Sequence, residues 1–271
     1  MTDNQTISGD QGPPELNSGM PHSARVWNYW LGGKDNFPAD RQVADMVLEA
    51  FPSIVDVARA SRAFLVRAVR YLAGEAGVRQ FLDIGTGLPT ADNTHEVAQR
   101  VAPASRIVYV DNDPIVLAHA RALLTSSGEG ATAYLDADLR DPDTILAGAA
   151  ETLAFDRPVA LMLMGIMGHV GDDEEARSIV RRLLDALPSG GYLALCDGAD
   201  TDPAGVVAQA QYNESGAIPY HLRSPERIAG FFEGLELVEP GVVSCSRWRP
   251  DPAAGGAPKE VAAFGGVGRK P

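Results

Sequence analysis

The chain has 271 residues, with 23 Lys+Arg against 36 Asp+Glu for a formal net charge of −13, and is 45% hydrophobic and 22% charged. At about 150 residues per domain this means one large domain or two small ones, and the composition excludes a mostly disordered chain. The negative charge disfavours a phosphate-backbone partner, because the one basic cluster, Arg177, Arg181 and Arg182, reads as the solvated face of a helix.

Residues 1–20 are polar and read as a flexible tail; without a basic start or an apolar core they do not resemble a secretory signal. No apolar run reaches the roughly 18 residues of a membrane span. Cys196 and Cys245 have no metal-ligand spacing, so reduced thiols, a cytoplasmic location and no metal are expected. Residues 22–75 carry helical periodicity, in Val43, Met46, Val47 and Ala50 and again in Phe64, Leu65, Ala68, Val69 and Leu72. Breaks fall at Gly32–Pro38 and at Phe51–Ser53.

From residue 79 short apolar runs alternate with helices. The runs are Gln80–Ile84, Arg106–Val110, Ala131–Leu135, Val159–Met164 and Tyr192–Cys196. Helices are predicted at Ala91–Val101, Pro114–Leu124, Thr144–Leu153 and Asp172–Leu187. This alternation predicts an α/β fold with a parallel sheet covered on both faces. Ser224–Phe232 reads as a helix opened by Ser-Pro. Leu235–Trp248 and Glu260–Val267 read as an antiparallel strand pair joined by a Pro- and Gly-rich loop, Arg249–Lys259.

The most informative segment is Asp83-Ile84-Gly85-Thr86-Gly87-Leu88-Pro89-Thr90, which follows the first strand and leads into a helix. Gly85 and Gly87 serve a tight turn and also let backbone approach a ligand closely. Asp111 ends the next strand, where a carboxylate can accept hydrogen bonds from both hydroxyls of a ribose. A dinucleotide site wants a third glycine where Thr90 stands, and a pyrophosphate needs a positive helix start, which Asp83 opposes. An ammonium suits Asp83 better. S-adenosylmethionine has a ribose, an ammonium and no phosphate.

These residues resemble the class I S-adenosylmethionine-dependent methyltransferases. Three stretches, Ala24–Asn36, Asp83–Thr90 and Val110–Pro114, are similar to an actinobacterial S-adenosyl methyltransferase family, as are Val238–Gly241 and Trp248–Pro250. The resemblance implies a Rossmann-like, doubly wound, mostly parallel seven-stranded sheet with an antiparallel C-terminal strand. It implies a helical lid over residues 21–78 and a cofactor domain over 79–271. It gives Asp83, Gly85 and Gly87 to the methionine end of S-adenosylmethionine, Asp111 to the ribose, Asn112, Asp138 and Leu139 to the adenine, and Met164 with Gly165 to the sulfur region. His169 matches a histidine found after the fourth strand of many small-molecule methyltransferases, though Gly168 precedes it here.

Each assignment has a plainer reading. Asp83 can cap a turn, Asp113 can cap the helix at Pro114, Asp138 can sit in a solvated loop, and Met162 and Met167 can fill core gaps. His95 reads as packing, and Cys196 as core. The block containing Tyr29, Gly32, Gly33, Lys34 and Asn36 is either the end of a helix or a hinged lid over cofactor and substrate. Tyr212, Tyr220 and His221 follow the fifth strand, where substrate contacts are expected. The expected reaction is in-line methyl transfer to a small organic molecule, with His169 or His221 as base if the acceptor is a hydroxyl. The alternatives are a non-catalytic module that binds S-adenosylmethionine or S-adenosylhomocysteine, and an NAD-type oxidoreductase, which Thr90 and Asp83 disfavour.

Overall fold

A computed structural model describes residues 19–116, 128–251 and 258–271. The predicted tail up to residue 18, most of the helix predicted from Pro114, and the middle of the Arg249–Lys259 loop lie outside the described residues. Three helices come first: α1 (Ser23–Trp30), α2 (Pro38–Ala50) and α3 (Ile54–Gly74). Then follow β1 (Gln80–Ile84), α4 (Thr94–Val101), β2 (Arg106–Asp111), β3 (Ala131–Asp136), α5 (Pro142–Ala149) and β4 (Ala160–Met164). After a 3₁₀ turn at Met167–His169 come α6 (Asp173–Asp185), β5 (Tyr192–Gly198), α7 (Pro203–Asn213) and α8 (Pro225–Ala229). The short strands β6 (Glu236–Leu237) and β7 (Val243–Ser244) and the longer β8 (Ala263–Arg269) close the chain.

The sheet runs β3-β2-β1-β4-β5-β8-β6, with β7 also paired to β8. β1 to β5 are mutually parallel, and β8 lies antiparallel beside β5. The described sheet therefore has eight strands where the sequence predicts seven. The added strand arises because the predicted run Leu235–Trp248 breaks. Pro240 has no N–H for a ladder, Gly241 turns back to donate to the Val238 carbonyl at 2.9 Å, and Cys245–Arg247 forms a 3₁₀ turn. The sequence reading also lacked α7. Asp202 caps it by accepting from the amides of Ala204 and Gly205, and Pro203 starts it, but Val206 and Val207 point to solvent and blur its apolar face.

Alternate residues of each strand feed two cores. Phe81, Ile107, Tyr109, Met162 and Ala194 meet Phe64, Leu65, Ala68, Val69 and Leu72 of α3. Leu82, Val108, Leu161, Leu163 and Leu195 meet Ile145 of α5, Ile179, Val180 and Leu183 of α6, and Ile228 of α8. The two-residue period of a strand sends neighbours to opposite faces, so a sheet covered on both sides must be apolar throughout. Trp248 is fully buried edge-on against Phe64 at 5.3 Å, and Arg67 clamps this end by donating to the carbonyls of Trp248 and Cys245.

The helices α1 and α2 are pinned together by Asp40, which is fully buried. Its carboxylate accepts from Arg25 Nε at 2.9 Å and from the amides of His22 and Phe37. A buried ion pair satisfied by further hydrogen bonds fixes geometry more than it adds stability.

Candidate active site

The strand order reverses between β1 and β4, which leaves a crevice at the carboxyl ends of the strands. A cavity of about 270 Å³ occupies it. Its floor is made by Asp83, Gly85 and Gly87 after β1, Asp111 and Asn112 after β2, Asp138 and Leu139 after β3, and Met164 and Gly165 after β4. All nine of these residues, expected at the cofactor, thus line one cavity, together with His169, Tyr212 and Tyr220.

Gly85 and Gly87 both have positive φ, 72° and 66°. They differ in what a side chain would meet. A Cβ on Gly85 would run into Ile166, whereas one on Gly87 has nothing within 4 Å. Gly85 is thus required by packing, and Gly87 leaves an open cradle beside Asp111. The Asp111 carboxylate accepts from the amides of Gly87 at 2.9 Å and Asp113 at 3.0 Å. Burial pushes its carboxyl up, and these two amides oppose that shift. Asn112 Nδ2 donates to Asp138 Oδ2 at 3.3 Å, which links the loops after β2 and β3.

Asp83 is buried at the start of α4, where Thr94 Oγ1 donates to its Oδ2 at 2.6 Å. A carboxylate therefore already occupies the positive end of the helix that a pyrophosphate would need. The α4 cap is closed as well: the Asn93 amide donates to Glu96, and the His95 amide to the Tyr109 hydroxyl. Burial raises the Asp83 carboxyl to about 6, against the Thr94 hydrogen bond and the positive charge of Arg62. Arg62 lines the same cavity, donates through Nη2 to the Ala91 carbonyl, and has a buried Nε without a hydrogen-bond partner. Nothing near Arg62 in the sequence marks it; α3 brings it across the fold.

The opposite wall is apolar and comes from the helices: Trp27 and Trp30 of α1, Val47 of α2, Ile54 and Leu65 of α3, and Ala208 of α7. Asn28 also lines the cavity and explains the glycine block after α1. The Asp35 amide and Asn36 Nδ2 donate to its Oδ1, the Gly33 amide donates to its carbonyl, and a Cβ on Gly33 would overlap its amide group. Tyr29, Gly32, Gly33, Lys34 and Asn36 themselves do not line the cavity. Tyr29 instead donates to Asp45, and Gly32 and Lys34 are exposed. The block therefore forms the loop that fixes the Asn28 side chain, through Gly33, Asp35 and Asn36, and does not itself reach the cavity.

The two histidines separate. His169 Nδ1 lies 2.9 Å from the Pro219 carbonyl, an acceptor, so Nδ1 carries the proton and Nε2 keeps a lone pair. Burial pushes this imidazole below its ordinary value. His221 is exposed, does not line the cavity, and meets Gly168 only through its backbone amide. His95 is buried against Tyr109, as expected for packing.

A further acid was not picked out by sequence. Asp197 ends β5 and lines the cavity, 1% exposed, and accepts from the Tyr220 hydroxyl. The available signal was position: like Asp83 and Asp111, it lies at the carboxyl end of a parallel strand. Among the described residues no cluster could hold a metal ion, and no helix is long and apolar enough to cross a membrane.

The family model described as S-adenosyl methyltransferase matches residues 9–271. The chain belongs to the S-adenosyl methyltransferase family. It is similar to a solved DUF574 family protein from Streptomyces avermitilis MA-4680, with 48% identity over 94% of this chain and 99% of that one and a TM-score of 0.89. A candidate methyltransferase from Thermobifida fusca YX is 43% identical over 97% and 99%, with a TM-score of 0.85. A S-adenosylmethionine-dependent methyltransferase from Anabaena variabilis ATCC 29413 shares the fold at 15% identity over 96% and 98%, with a TM-score of 0.50. Among curated proteins none matches the chain. The cosubstrate of this methyltransferase family member is S-adenosylmethionine, and the cavity fits it: an open cradle at Gly87, an unpartnered buried Arg62 Nε, and carboxylates at Asp83 and Asp111.

Proposed function

We propose that this protein methylates a small organic acceptor by in-line transfer. The observation that carries the reading is the pairing of Asp83 with Arg62 in one cavity with Asp111. Asp83 holds the ammonium and Arg62 the carboxylate of the amino-acid end, a zwitterion met by a complementary pair. Asp111 accepts from the ribose hydroxyls, and Asn112, Asp138 and Leu139 hold the adenine. Bound there, S-adenosylmethionine supplies an electrophilic methyl group next to Met164. The protein's task is then alignment and exclusion of water, worth roughly 7–11 kcal/mol without a strong catalytic group.

The helices α1 and α2 form the lid. His22 Nδ1 sits 3.2 Å from Asp113 Oδ2, which places the start of α1 close against the loop after β2. Of the two histidines expected as bases, only His169 lines the cavity, and it alone stays in the reading. Calorimetry with S-adenosylhomocysteine and with NAD tests the site. Binding of the former alone is expected, and binding of NAD alone would overturn the proposal. Label transfer from methyl-labelled cosubstrate to a pool of small metabolites tests catalysis. Tight binding without transfer to any acceptor would favour a binding module instead.

A further inference from the structure

Asp197 lines the cavity, and one oxygen of its carboxylate makes no hydrogen bond of normal geometry. Oδ1 accepts from the Tyr220 hydroxyl, and the Gly198 amide donates to the same Tyr220 oxygen at 3.0 Å, so the phenolic proton is committed to Asp197. Oδ2 is buried and has no hydrogen-bond partner. Arg223 Nη1 stands 3.7 Å from Oδ2, beyond hydrogen-bond range, because its guanidinium is taken up by the carbonyls of Met167 and Val170 and by Asp173. A buried acceptor left unpaired costs free energy until a donor arrives.

The surroundings say what kind of donor. Trp27, Trp30, Phe51 and Tyr212 give this half flat, apolar walls, and the Tyr212 hydroxyl is itself buried without a partner. Arg223 stands beside Asp197 and balances its charge, so this half holds no surplus negative charge for an ammonium. A neutral hydroxyl enters at lower desolvation cost than a charged amine. His169, the other candidate, packs its ring edge-on against Tyr220 at 5.1 Å and gives Nδ1 to the Pro219 carbonyl, so it neighbours the Tyr220–Asp197 pair without bonding Asp197 itself.

We propose that the acceptor is a hydroxylated aromatic molecule, and that Asp197 Oδ2 binds its hydroxyl and takes its proton during transfer. This rests on the methyltransferase reading above. The acceptor oxygen forms the new bond to carbon, the carbon–sulfur bond breaks with its electron pair left on sulfur, and the hydroxyl proton moves to Asp197. The proton then leaves to solvent. Burial raises the Asp197 carboxyl to about 7, opposed by Tyr220, by Arg223 and by the amides of Gly198 and Gly168. Cys196, next to it, is a buried thiol whose own ionisation is pushed well above its ordinary value and stays neutral at that pH.

The test uses the full protein saturated with S-adenosylhomocysteine, and naphthol as the probe. Naphthol is expected to bind, with methoxynaphthalene and the protonated amine naphthylmethylamine each weaker. Its affinity should rise as the pH passes through about 7. Asp197→Asn should weaken naphthol about tenfold, the effect of one charged hydrogen bond, and flatten the pH step while S-adenosylhomocysteine binding holds. Tyr220→Phe, which removes a hydrogen bond to the ionised carboxylate, should move the step to higher pH. His169→Gln should leave it in place. The proposal is overturned if naphthol does not bind the loaded protein, if naphthylmethylamine binds more tightly, or if the pH step survives Asp197→Asn and vanishes in His169→Gln. Failure of S-adenosylhomocysteine to bind at all would instead remove the methyltransferase reading beneath it.

Discussion

At the ends of β1, β2 and β3 the cavity wall is polar and tied closely to the backbone: Asp111 accepts two amides, the Thr94 hydroxyl at the start of α4 fixes Asp83, and Gly87 leaves room beside them. At the ends of β4 and β5 the wall is apolar and held by side chains, with tryptophans of α1 and residues of α3 and α7 around one unpaired carboxylate oxygen. A wall built of backbone amides stays fixed while the rest of the chain varies, and suits a ligand that is the same throughout a family. A wall built of helix side chains can change residue by residue without disturbing the sheet, and suits a ligand that differs between members.

Substitutions should separate the two halves. The largest effect is expected for Asp111→Ala, which should weaken S-adenosylhomocysteine binding by about 1–3 kcal/mol through lost charged hydrogen bonds. Calorimetry measures it, and unchanged affinity in a folded variant would take Asp111 out of the site. Trp27→Ala should do the reverse, weakening aromatic ligands by about 0.5–1.5 kcal/mol beyond the lost contact area while cosubstrate binding holds. Equal losses for both ligands would break the division into halves.

Two pH effects sharpen it further. The cosubstrate ammonium favours ionised Asp83, so affinity for S-adenosylmethionine should rise as the pH passes upward through about 6, and Asp83→Asn should abolish the rise. Titration calorimetry over that range checks it. The smallest effect concerns the ligand-free fold. Asp83 and Asp197 are raised from 3.8 to about 6 and about 7, so the stability of their protonated forms is present below 3.8 and lost as pH rises through the raised values. His95 and His169 are lowered and act with the opposite sign as pH falls below 6.5. The cleaner quantity is a difference: Asp197→Asn should gain melting temperature relative to the parent as pH goes from acidic to neutral. A constant gap would mean that Asp197 titrates normally.

Much of the cofactor half was legible in the chain itself. Asp83, Gly85, Gly87 and Asp111 lie at the ends of strands whose apolar runs are unmistakable, and a parallel sheet brings successive strand ends together whatever the intervening loops do. The runs Gln80–Ile84 and Arg106–Val110 matched β1 and β2 closely because a strand buried on both faces must be apolar throughout. Tyr212 and Tyr220 were legible in the other half by their place after the fifth strand, but other parts of the site were not. Arg62 lies 21 residues before Asp83 on a different element, and only the packing of α3 across the sheet brings it there. Tyr29 and Lys34 share one sequence block with Asn28, yet the turn of α1 sends Asn28 inward and Tyr29 outward, and Lys34 lies exposed in the loop that follows.

The chain alone determined that a covered parallel sheet would form and that acids and glycines would gather at its mouth, since strand periodicity and turn chemistry are local. Which helix face covers that mouth, and which of His169, His221 and Asp197 reaches the interior, was decided by the tertiary structure, because side-chain direction across a cavity depends on contacts between residues far apart in sequence.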